Sequence, residues 1–106
     1  MMKKVFAYDV ASDEEIEIMM SEAETINFYK KLSEEDGTFI GIYYDEDSYV
    51  QFAWETPGFW LMDIPQMEKD GSLQKYVSTV ECIKIIHDIY SGANPTLTEG
   101  LYFENF

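Results

Sequence analysis

The sequence predicts an α+β fold: an antiparallel β-meander sheet of four to six strands, with two helices packed mainly on one face. Three observations point there. Short β-prone runs between residues 38 and 64 alternate with turn residues, the pattern of adjacent antiparallel strands. Two Ser-x-x-Glu capping boxes, Ser21 with Glu24 and Ser78 with Glu81, each stand before an apolar-periodic stretch. The chain has 106 residues, which makes residues 1–106 a single domain with no room for a second core.

Residues 3–10 carry Val5, Phe6, Tyr8 and Val10 and read as a first strand. After the acidic stretch Ser12-Asp13-Glu14-Glu15, the alternation Ile16-Glu17-Ile18-Met19 reads as a short edge strand. The first helix starts at the Ser21 box, carries Ile26, Tyr29 and Leu32 along one face, and is expected to end at Asp36-Gly37. Thr38–Tyr44 is the first meander strand, and Asp45-Glu46-Asp47 its turn. In Tyr49–Trp54 one face holds Val50, Phe52 and Trp54, and the other Tyr49, Gln51 and Ala53. Pro57-Gly58 suits the centre of a type II turn, and Phe59–Ile64 is a third strand stopped by Pro65.

A polar loop over Gln66–Ser72 leads to a short strand, Leu73–Val77. The second helix is the clearest element: Cys82, Ile83, Ile86, Ile89 and Tyr90 recur at helical spacing, and Gly92 suits its C-terminal stop. Asn94-Pro95 breaks it. The tail, with Leu97, Leu101, Tyr102, Phe103 and Phe106, is too apolar to hang free and is expected to pack back on the domain.

Charge limits the function. Twenty-one Asp and Glu oppose seven Lys, with no Arg, for a net charge of −14. Nucleic acid and anionic membranes both require clustered cations, so neither is an expected partner. Long-range attraction steers such a chain toward a basic protein; the plainer reading is that the charge maintains solubility. The hydrophobic share of 46% and aromatic share of 16% exclude a disordered acidic tail. A lone Cys82, no signal-peptide pattern and no apolar run of membrane-spanning length predict a cytoplasmic protein.

Nothing reads as an active site. Cys82 and His87 are the one Cys–His pair, but they point about 140° apart around a helix. Cys82 belongs to the apolar stripe and His87 to the surface. No zinc spacing occurs, and Asp45-Glu46-Asp47 lacks the glycine and glutamate of a calcium loop, since Val50 and Thr56 stand there. Gly37-Thr38-Phe39-Ile40-Gly41 has no P-loop lysine. The chain therefore reads as a non-enzyme, with no catalytic residue, metal or cofactor. Acid interleaved with aromatics is more suggestive. Tyr43, Tyr44, Asp45, Glu46, Asp47 and Tyr49 surround one hairpin, and Trp54, Glu55, Phe59, Trp60 and Asp63 the next. Aromatics on both alternate sets cannot all face one core, so some are candidate anchors for a partner. The candidate partner-binding residues are Tyr43, Tyr44, Asp45, Glu46, Asp47, Trp54, Glu55, Trp60 and Asp63.

The order of elements resembles the immunity proteins of bacterial polymorphic toxin systems, in particular the immunity partners of secreted deaminase toxins. The segments that carry the likeness are Phe39–Tyr44, Tyr49–Ala53, Val77–Tyr90 and Asn94–Leu97, within residues 14–104; the loop before the second helix is shorter than that pattern. The resemblance implies a cytosolic inhibitor that binds a cognate toxin, a basic nuclease or deaminase domain, and blocks it by stoichiometric contact. The alternative expectation is a structural or regulatory subunit that forms a homodimer through an aromatic sheet face.

Overall fold

The computed structural model describes the whole chain, Met1–Phe106. Its elements run β1 (Met2–Asp9), β2 (Glu14–Ser21), α1 (Glu22–Lys31), β3 (Phe39–Tyr43), β4 (Tyr49–Thr56), β5 (Phe59–Gln66), β6 (Gly71–Ser78), α2 (Thr79–Tyr90) and β7 (Tyr102–Asn105), with 3-10 turns at Met67–Lys69 and Pro95–Leu97. The strands form one seven-stranded antiparallel sheet in the order β2-β1-β3-β4-β5-β6-β7.

Alternation along the strands decides which side the helices cover. Val5 and Ala7 of β1, Ile40 and Ile42 of β3, Val50 and Phe52 of β4, and Trp60, Met62 and Ile64 of β5 point to one face and are buried. Tyr29 of α1 and Cys82, Ile85, Ile86 and Ile89 of α2 close over them in one apolar cluster. Each fully buried Ile, Phe or Met contributes about 1.5–3 kcal/mol, which makes this two-layer core the main source of stability. The helices are also tied to β2 and to each other. The Tyr90 hydroxyl donates to the Met20 carbonyl at 2.9 Å and shares a hydrogen bond with the Thr25 hydroxyl at 2.7 Å. Both capping boxes form, with Ser21 and Ser78 accepting from Glu24 and Glu81 and the glutamates accepting in return. No helix is long and apolar enough to cross a membrane.

Three expectations are corrected. The sheet has seven strands, above the four to six expected, because the apolar tail becomes β7 and pairs with β6 from Gln74↔Tyr102 to Gly71↔Asn105. Gly71 makes this possible: a β-carbon there would collide with the Phe103 ring and the Glu104 carbonyl. The first helix ends at Lys31, with Leu32 as its C-cap, short of Asp36-Gly37. Ser33 is drawn out of the helix by the Asp9 carboxylate, which accepts from both its hydroxyl and its backbone N–H. Finally, Pro65 does not stop β5 but lies inside it, opposite Ser72. Pairing with β4 has already ended at Gln51↔Asp63, so from there on β5 has one free side, where a missing N–H is tolerated.

Candidate protein-binding face

With both helices on one side, the opposite face of the sheet has no covering layer. Its composition follows from the register. One row across the sheet reads Glu17, Phe6, Gly41, Gln51, Asp63, Gln74, Tyr102, and the next reads Glu15, Tyr8, Phe39, Ala53, Leu61, Tyr76. Tyr43 and Tyr49 form a further pair on the same side.

The β1–β3–β4 part of this face is an aromatic cluster. The Phe6 ring lies edge-on to Tyr49 at 5.0 Å and to Tyr43 at 5.9 Å, and tilted against Phe39 at 6.1 Å. Tyr43 and Tyr49 meet at 5.5 Å, and Tyr8 touches Phe39 at 6.3 Å. Edge-to-face pairs of this kind add about 0.5–1.5 kcal/mol each beyond their burial. Gly41 admits the arrangement, because Phe6 occupies the space where a side chain at position 41 would stand. Beside the rings a recess of about 300 Å³ opens, rimmed by Glu15 and Glu17. A second apolar group, Phe59, Leu61, Tyr76 and Tyr102, lies toward β7, and its three rings are 41–56% exposed.

The face is electronegative. Glu15, Glu17, Asp63 and Glu104 are among its acids, with Glu55 near Tyr102 at the β7 end, and Lys4 is the one cation among its strand residues. Lys4 lies 4.4 Å from the centre of the Tyr43 ring and 3.7 Å from Glu17. A cation already rests against this aromatic surface, which is the interaction a basic partner would repeat. Partial burial, then Tyr43 and Asp63, raise the pKa of Tyr49, so its hydroxyl stays neutral.

The nine candidate residues do not form one patch. Asp45, Glu46 and Asp47 are exposed at the β3–β4 turn, adjoining Tyr43. Trp54 and Glu55 lie toward the other end of β4, five and six residues beyond Tyr49, and so about 17–20 Å along the strand at 3.3 Å per residue. Asp63 is on the helix-free face, near its middle, and accepts from the Gln74 amide at 2.9 Å. One aromatic is corrected, and two others are half-buried on the core side. Trp60 is a core residue, 2% exposed, tilted against Tyr29 with ring centres 5.1 Å apart. Trp54 shares its face of the sheet, packs against the core and donates to Glu34 at 3.3 Å. Tyr44 also packs against the core. The cause is parity: Trp54 and Trp60 are opposite one another in the ladder, on the side of Phe52 and Met62. The rings on the helix-free face are Phe6, Tyr8, Phe39, Tyr43 and Tyr49 in the cluster, and Phe59, Tyr76 and Tyr102 toward β7. The legible signal for the cluster is a first strand apolar on both alternate sets, with Gly41 inside a β-rich run.

Cys82 is fully buried, and burial pushes its thiol up to about 12, so it holds no thiolate at neutral pH. His87 is exposed and bonded through Nδ1 to Glu22 at 2.8 Å. The two side chains serve separate structural roles. Comparison of the chain with protein-family models, curated proteins and solved structures finds no match.

Proposed function

We propose that this protein is a cytoplasmic immunity protein, one that binds and neutralises a cognate, basic bacterial toxin domain by stoichiometric contact. The observation that carries the reading is the helix-free sheet face: a preformed aromatic cluster, rimmed by carboxylates, on a chain of net charge −14. Tyrosine and phenylalanine held rigid by their neighbours lose little entropy on binding and supply contact area. The acids select a cationic partner and speed its capture, and a basic nucleic-acid cleft of a nuclease or deaminase supplies that charge. Homodimerisation through the same face is disfavoured, since it would bring together two faces that each carry Glu15, Glu17, Asp63 and Glu104.

The test is to retrieve the tagged protein from its native cells at low and at high salt. A single basic protein is expected, bound one-to-one, whose toxicity or enzymatic activity the purified inhibitor abolishes. Replacing Tyr43 and Tyr49 by alanine is expected to weaken that complex at least tenfold, as loss of aromatic anchors does. Recovery of the protein with only itself would contradict the proposal and favour self-association.

A further inference from the structure

The recess beside the aromatic cluster opens onto the edge of the sheet. β2 is paired on one side only, with β1, and its eight residues leave a row of backbone donors and acceptors without ladder partners. At its C-terminal end the Tyr90 hydroxyl occupies the Met20 carbonyl, so the free stretch is Glu14–Met19. Such an edge is a template for strand addition unless its side chains forbid it.

The side chains of β2 forbid one partner and select another. On the helix-free side the strand presents Glu15 and Glu17, and on the helix side Ile16 and Ile18, the latter 51% exposed although it lies opposite the fully buried Val5. No lysine occurs in the strand. A second copy pairing here would bring Glu14, Glu15 and Glu17 against the same three carboxylates.

We infer that the free edge of β2 takes an extended basic segment of the protein's partner as an eighth strand. Lysine or arginine at alternate positions faces Glu15 and Glu17, with the nearer cation reaching the recess, while the intervening apolar residues cover Ile16 and Ile18. Main-chain hydrogen bonds hold the segment and the alternate pockets choose it. This deepens the docking reading and rests on it for the identity of the partner, but it concerns an edge of the sheet, where that reading concerns a face.

The test is an NMR titration of the full chain, to millimolar concentration, with an eight-residue peptide of alternating lysine and valine. A control peptide keeps the lysines and replaces two central valines by proline, which preserves charge and removes main-chain donors. Expected are shifts of the Glu14–Met19 amides with slowed hydrogen exchange, and binding of the proline peptide weaker by about tenfold. Exchanging Glu15 and Glu17 for lysine together is expected to weaken the parent peptide by about tenfold, as two cross-strand charge pairs turn repulsive. Equal binding of both peptides, or shifts that spare β2, would overturn strand addition. If β2 stays unshifted while the cognate protein still docks on Tyr43 and Tyr49, the inference fails and the docking reading stands.

Discussion

Phe6 covers Gly41, and a β-carbon at position 41 would collide with the Cζ of its ring. This contact connects a glycine in the middle of a strand to the form of the exposed surface. Gly41→Ala must expel the ring, which also separates Phe6 from Tyr43 and Tyr49. The substitution is expected to cost about 1–3 kcal/mol, the usual range for overpacking. Urea denaturation checks it, and Phe6→Leu in the Gly41→Ala background should recover part of the loss.

Two tyrosines in the core should respond oppositely to the same change. The Tyr29 hydroxyl is buried without a hydrogen-bond partner, beside the Thr79 and Cys82 side chains. Tyr29→Phe removes an unpaired polar atom and is expected to leave stability unchanged or raise it by up to about 1 kcal/mol. The Tyr90 hydroxyl bonds both the Met20 carbonyl and the Thr25 hydroxyl. Tyr90→Phe is expected to cost about 1–2 kcal/mol, because it leaves the Thr25 hydroxyl and the Met20 carbonyl without that partner. Paired thermal melts decide between equal and opposite effects.

The His87–Glu22 pair joins the end of α2 to the start of α1. The Glu22 hydrogen bond, then its charge, raises the pKa of His87 in the folded chain. A raised folded pKa means the pair stabilises fully below the unfolded histidine value, about 6.5. That contribution fades as pH rises through the folded value. Comparing the wild type with His87→Gln from pH 5 to 9 should show an advantage at the acidic end that disappears at the alkaline end. A pH-independent difference would mean that the charged pair contributes nothing.

Replacing Asp45, Glu46 and Asp47 by lysine removes an exposed acidic turn that supports no core contact. Stability should hold within about 0.5 kcal/mol, as for other surface changes. Association with the basic partner should slow and lose much of its salt dependence, read by stopped-flow fluorescence. Unchanged kinetics would remove this end of the sheet from the encounter surface.

Local signals carried most of the fold. The capping boxes of Ser21 and Ser78, the turn at Gly58 with its positive φ and the strand alternation through Phe52 are all where their chemistry predicts. The misses required knowledge of distant neighbours. Ser33 leaves the helix because Asp9, far back in the chain, binds it, and the tail becomes a strand because Gly71 leaves room for Phe103. Within the site, Tyr43, Asp63 and the acidic turn were legible as surface. Trp60 was not legible as core, nor Trp54 as packed against it, since their side of the sheet depends on which face receives the helices. Phe6 and Phe39 were not legible as surface because a strand apolar on both sets looks like buried sheet.

The most direct test of the central claim is hydroxyl-radical footprinting of the protein alone and in complex with the basic protein recovered from its cells. Docking on the helix-free face predicts protection of Tyr43, Tyr49 and Phe39, with the exposed Val80 of α2 labelled equally in both states. Protection confined to the helices, with the tyrosines labelled as in the free chain, would contradict it.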